Sequence, residues 1–200
     1  MKIKSIGVFC GSSVGAKPIY SQKAKELGEL MASQNIDLIY GGGNVGLMGV
    51  IADATLSKKG NAIGVMPTAL LEKEVGHESL TKMHITENMS DRKNLITDLS
   101  DAFIAMPGGF GTLDEVMEVL THFQLGFSEK PVGFLNVDGF YDSVITLFDQ
   151  ILDEKFMKAE HRNNVIFESE PDVLLKALHE FKPHNVDSKW IKDLKNKNTY

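Results

Sequence analysis

Three times along this chain of 200 residues, an apolar β-branched run stops at a cluster of glycines and gives way to a segment of helical period. The runs are "IKSIGVF" (3–9), "IDLIY" (36–40) and "DAFIAM" (101–106); the clusters after them are "CGSSVG" (10–15), "GGGNVGLMG" (41–49) and "PGGFGT" (107–112). Strand, tight turn and helix in this order is the pattern of βαβ units, because parallel neighbours need a crossover long enough to be a helix. An α/β fold follows, with a mostly parallel sheet flanked by helices on both faces. Further strands are expected at "NAIGVM" (61–66), "KMHIT" (82–86), "KPVGFLN" (130–136) and "NNVIFE" (163–168). Helices are expected from about Pro18 to Gln34, over 46–60, over 90–100 with Ser90 as N-cap, and near 112–126, 140–155 and 171–181.

The hydrophobic content of 42% suffices for one core, so residues 1–182 are expected to form a single domain. Residues 183–200 are a polar, lysine-rich tail with a lone Trp190, expected to be loosely held or to pack on a partner subunit. The net charge of -6 argues against a broad electrostatic hold on nucleic acid or on an anionic membrane, which leaves small molecules and protein as partners. The start has no signal-peptide layout, no run is long enough to cross a bilayer, and Cys10 is the sole cysteine. A cytoplasmic location is expected, with Cys10 a buried small hydrophobe at a strand end rather than a nucleophile.

In a parallel α/β sheet the three glycine turns lie at the carboxyl edge of the strands and converge on one crevice. Glycine admits a ligand close to the backbone amides, and the helix N-terminus that follows directs free N–H groups at an anion, so phosphate is the natural guest. "GGGNVG" matches the dinucleotide fingerprint at Gly41, Gly43 and Gly46, but it follows the second strand, and the next strand runs into "PTAL" with no acid for a ribose; both points argue against NAD. No glycine cluster continues into Gly-Lys-Ser/Thr, which excludes a P-loop.

In the helix near Thr112, Leu113, Val116, Met117 and Leu120 share one face while Glu115, Glu118 and His122 share the other. Glu115 in the first turn leans over the glycine turn, although an acid favoured by the positive helix end would look the same. The chain has only two arginines, Arg92 and Arg162. Arg92, near the start of a helix, either grips phosphate or carboxylate in the crevice or makes a surface pair with Asp91 or Asp98. The six histidines show no ligand spacing, so no metal is expected, and no G-x-S-x-G elbow is present. Met66, Met89 and Met117 read as core and pocket filler.

"PGGFGTLDE" carries the P-G-G-x-G-T-x-x-E motif and resembles the LOG ("Lonely Guy") family of cytokinin riboside 5'-monophosphate phosphoribohydrolases, whose members are often labelled lysine decarboxylase-like. "VFCGSSVG", "YGGGNVGLMG", "NMSDRKNLITDLSDAFIAMPGG" and "QLGFSEKPVGFLNVDGFYDS" look like family segments in order, so the resemblance spans roughly residues 3–180. It implies a Rossmann-like fold, a homodimer with the site near the subunit interface, no redox cofactor, and hydrolysis of the N-glycosidic bond of adenosine-type 5'-monophosphates. By motif, the essential glutamate falls on Glu115 and the essential arginine on Arg92. The substrate-binding set that goes with them is Gly11, Ser12, Gly42, Gly43, Met89, Lys93, Pro107, Gly108, Gly109, Gly111 and Thr112. "MSDRK" departs from the His-Glu that many plant members carry before Arg-Lys, and no lysine stands in a setting suited to the pyridoxal phosphate that a decarboxylase implies. A non-catalytic nucleotide-binding module is the rival reading, and an NAD(P) oxidoreductase a third.

Overall fold

The computed structural model describes residues 2–71 and 76–184. Its strands are β1 (Ser5–Phe9), β2 (Asp37–Tyr40), β3 (Ala62–Pro67), β4 (Lys82–Thr86), β5 (Ala102–Ala105), β6 (Val132–Leu135) and β7 (Val165–Glu168). The helices are α1 (Pro18–Ser33), α2 (Gly46–Ser57), α3 (Thr68–Leu71), α4 (Met89–Leu99), α5 (Phe110–Gln124), α6 (Asp142–Asp153), α7 (Ala159–Asn163) and α8 (Pro171–Glu180). All the strands join one parallel sheet in the order β4-β3-β2-β1-β5-β6-β7. The α/β, parallel-sheet expectation holds.

Alternation along the strands sends successive side chains to opposite faces. Ile6, Val8, Leu38, Tyr40, Ile104 and Met106 pack with α1, α2 and α8, whereas Phe9, Ile39, Val65, Phe103, Ala105 and Phe134 pack with the helices of the other face, among them α4 and α5. The chain winds outward from β1 to β4 and then crosses to β5 on the other side of β1. Strand order therefore reverses between β1 and β5, where Phe9 pairs with Ala105. Loops leaving the carboxyl ends of two such strands diverge to opposite faces, and the gap between them is where ligands bind in open α/β sheets.

The boundaries differ from expectation in instructive places. The N-cap of α4 is Asn88, whose side chain accepts from Asp91 N at 2.9 Å; Ser90, expected in that role, lies inside the helix. Helix α5 begins at Phe110, two residues before the expected Thr112, with Gly109 as an N-cap that has no side-chain oxygen to offer. The short helices α3 and α7 are absent from the sequence reading, since four or five residues are too few to display a period. The tail expectation falls almost wholly on residues 185–200, outside the described residues. Among the described residues no helix is long and apolar enough to cross a membrane.

Candidate active site

The first and third glycine turns meet at the reversal point. Gly11 N donates to Pro107 O at 3.0 Å, and Leu47 N, from the second turn, donates to Gly11 O at 3.0 Å. Two glycines are required by the crowding. A Cβ on Gly108 would fall 2.1 Å from Thr112 Oγ1, and one on Gly46, whose φ is +59°, would fall 2.2 Å from the carbonyl carbon of Ser12. Only a bare backbone permits all three turns to close on one point.

Between them opens a cleft of about 250 Å³, lined by Gly11, Ser12, Gly41, Met48, Leu70, Arg92, Gly109, Phe110, Gly111, Thr112 and Glu115 with the end of β1. A second hollow of about 280 Å³ adjoins it, sharing Gly11, Ser12 and Gly109 and adding Pro107, Gly108, Tyr20 and Phe140. The first N–H groups of α5 have no intrahelical partners, and they belong to residues that line the cleft.

On the cleft wall Arg92 Nη1 donates to Glu115 Oε1 at 2.7 Å, and Arg92 Nε donates to Val65 O at 3.1 Å. Each of the two residues is only 9% exposed. Of the readings left open for Arg92, the surface pair with Asp91 or Asp98 is thus replaced by a buried pair with Glu115. The other arginine, Arg162, donates to Asp149 and lies over the Phe167 ring. Burial raises the Glu115 carboxyl above its ordinary range, and the neighbouring Arg92 charge and hydrogen bond oppose that rise. Burial, with the Glu115 charge adding to it, also pushes the Cys10 thiol up, so Cys10 at the end of β1 is not a ready nucleophile.

Of the residues singled out from sequence, Gly11, Ser12, Arg92, Gly109, Gly111, Thr112 and Glu115 share this cleft, while Pro107 and Gly108 line the adjoining hollow. Gly42 and Gly43 do not line the cleft, and Gly43 is in a bridge to Gly76. Lys93 does not line the cleft and pairs with Asp114 and Glu118. Met66 is core, as read, but Met89 is 43% exposed and is not filler. Not singled out from sequence were Leu70, which reaches the cleft from α3 without any motif, Met48, an apolar residue inside the second glycine cluster, and Phe110, the variable position of the third. Among the described residues no group of three or more His, Cys, Asp or Glu is arranged to hold a metal ion.

The family described as "Possible lysine decarboxylase" matches residues 48–178. A probable cytokinin riboside 5'-monophosphate phosphoribohydrolase of Oryza sativa subsp. japonica, LOGL2, is 41% identical over 184 residues, which cover 92% of this chain and 75% of that protein. The Arabidopsis thaliana cytokinin riboside 5'-monophosphate phosphoribohydrolase LOG1 is 42% identical over 184 residues, 92% of this chain and 86% of its own. Among solved structures, the molybdenum cofactor binding protein of Rippkaea orientalis superposes with a TM-score of 0.67 at 27% identity, covering 90% of this chain and 97% of that one. The molybdenum cofactor carrier protein of Chlamydomonas reinhardtii shares the fold, with a TM-score of 0.69 at 22% identity over 90% of this chain and 98% of its own.

Proposed function

This chain belongs to the family described as "Possible lysine decarboxylase" and, within it, to the LOG phosphoribohydrolases, and on that premise we propose that it hydrolyses the N-glycosidic bond of cytokinin-type adenosine 5'-monophosphates. Water adds to C1' of the ribose, the bond from C1' to the base nitrogen breaks, and a proton from solvent completes the leaving base; the products are free nucleobase and ribose 5-phosphate. The observation that carries the assignment of residues is the buried Arg92–Glu115 pair beside the free amides of α5.

We assign the 5'-phosphate to the amides of Gly109, Gly111 and Thr112, where the helix end supplies donors and partial positive charge. Gly11 and Ser12 close the cleft from the first turn. The ribose then lies over Glu115. Bond breaking at C1' builds oxocarbenium-like charge, which a carboxylate beneath the ring stabilises, and the same group orients the incoming water. A carboxyl raised by burial suits the second task, since a stronger base accepts a proton more readily near neutral pH. Arg92 holds Glu115 in place until substrate arrives and orients the sugar afterwards.

A decarboxylase of this description would need a Schiff-base lysine for pyridoxal phosphate. The described residues do not fit that group: among them no lysine lines the cleft, and Lys93 is held charged by Glu118 and Asp114, with its amine raised rather than lowered.

We infer further that the protein is a cytoplasmic homodimer with the cleft near the subunit interface. Phe110, Phe127 and Phe156 leave 93%, 75% and 80% of their surface open in the single chain, which supports a partner. The test of function is incubation with AMP and with N6-isopentenyl-AMP, assayed for free base and ribose 5-phosphate. Release from neither rejects the assignment. The likeness to the Rippkaea orientalis binding protein favours, as a second reading, a module that binds a nucleotide without turning it over; AMP binding unchanged by Glu115→Gln, with no product, would select it.

A further inference from the structure

His77 stands outside the cleft, yet it is only 7% exposed, and its backbone N–H and both ring nitrogens are hydrogen-bonded. Its backbone N–H donates to Gly42 O at 3.0 Å, beside the Gly43–Gly76 bridge. Its Nδ1 accepts from Ser79 N at 3.2 Å. A backbone amide can only donate, so Nδ1 is the unprotonated nitrogen and the ring proton sits on Nε2. That proton faces Asp53 Oδ1 at 3.1 Å, on helix α2. One neutral imidazole thus ties the return from β3 to β4, the second glycine turn and the helix that follows that turn.

The tie bears on the cleft through Gly41. A Cβ there would fall 2.3 Å from Arg92 Nη2 and 3.2 Å from Met48 Sδ, so the guanidinium rests directly on this bare backbone. If the turn moved by even half an ångström, Arg92 would either lose its support or be pushed off Glu115. We propose that His77 is a positioning residue for the hydrolysis, with Asp53 as its anchor: it fixes the 41–43 turn, and the turn fixes the Arg92 fork against Glu115. The inference rests on the reading of Arg92 and Glu115 as the reacting pair. It adds a residue that touches neither substrate nor either of them.

The chain's two arginines make the test direct, since a nitrogen-15 proton-correlation spectrum contains only two arginine Nε–H signals. The Arg92 signal belongs to the Nε that donates to Val65 O, and Arg162→Lys identifies it by elimination. His77→Ala is expected to shift or broaden the Arg92 signal, leave that of Arg162 in place, and lower kcat/KM for AMP by roughly 10- to 100-fold, as loss of an outer-shell support does. Asp53→Asn keeps an acceptor for the Nε2 proton and should stay within about twofold of wild type, whereas Asp53→Ala should follow His77→Ala in direction. A folded His77→Ala with unmoved Arg92 signal and unchanged kinetics overturns the proposal. So does equal loss in Asp53→Asn and Asp53→Ala. The Asp53 side chain is 73% exposed, so its variants fold and decide the matter if His77→Ala does not. A wild-type protein that releases no base sinks the functional reading alone; the Arg92 signal in Asp53→Ala still decides this one.

Discussion

Arg92 Nη1 lies 2.7 Å from Glu115 Oε1, a hydrogen bond between two buried side chains that are 23 residues apart and on different helices. A buried pair of this kind is weak evidence of design for stability, because the desolvation of two charges offsets most of their attraction. Its location beside free helix amides, in the crevice where strand order reverses, gives it a different purpose.

The kinetics of the two residues should part accordingly. Glu115→Gln keeps the size and an acceptor but loses the charge, so kcat should fall by roughly 100- to 10,000-fold with KM little changed. Arg92→Ala should damage both constants and also destabilise the fold by about 3–5 kcal/mol, because a buried carboxylate loses its partner. Steady-state assays with AMP and urea unfolding separate the two effects. Full activity in Glu115→Gln would move the chemistry elsewhere.

Stability should also report the Glu115 carboxyl. Its folded value is raised by burial, so the folded state holds the proton more tightly than the unfolded chain does. The resulting stabilisation is fully present below the ordinary glutamate value of about 4.3 and is lost as pH rises through the raised folded value. Glu115→Gln has no such proton to lose. The unfolding free energy of wild type minus that of Glu115→Gln should therefore decline with rising pH over that window and level off above it. A difference that grows with pH would show that Arg92 outweighs burial and holds the carboxyl low.

The architecture was legible because it is written in short-range patterns: alternating apolar runs, glycine clusters after three of them, and helical spacing between. The motif placed Glu115 at the start of α5 and Arg92 near the start of α4. Their mutual contact was not legible, since periodicity relates residues three or four apart and says nothing of how two helices are rotated about their axes. The same limit explains Leu70 and Met48, ordinary apolar residues that become cleft walls only through packing. Lys93 shows the reverse case. Its place beside Arg92 suggested the cleft, but one residue along a helix is a turn of about 100°, and the side chain faces Asp114 and Glu118 instead.

Glycines that look alike in "PGGFGT" should respond differently to a methyl group. Gly108→Ala places Cβ 2.1 Å from Thr112 Oγ1 and 2.9 Å from Gly11 N, so it should destabilise by about 1–3 kcal/mol and abolish turnover. Added Cβ atoms at Gly109 and Gly111 meet nothing within 4 Å. Gly111→Ala, inside a helix, should raise stability by roughly 0.5–1 kcal/mol. Yet both positions line the cleft, so their variants should raise KM for AMP by about tenfold while remaining folded. Unchanged KM in both would mean that no ligand approaches this turn.

The 5'-phosphate provides the remaining test, because its proposed seat lies away from the bond that breaks. Binding energy from a remote group accelerates reaction only when it is used to align the reacting centre, so removing the phosphate should lower kcat as well as affinity. Adenosine should be a far poorer substrate than AMP, and inorganic phosphate and ribose 5-phosphate should each compete with AMP. Thr112 sharpens the expectation. It is 4% exposed, with its Oγ1 in the space that a side chain at Gly108 would occupy, so Thr112→Val preserves shape and removes only the hydroxyl. Inhibition by phosphate should weaken in that variant while its melting temperature stays close to wild type. Comparable kcat/KM for nucleoside and nucleotide would mean that the amides of α5 face no phosphate and that the glycines serve only to let three turns meet.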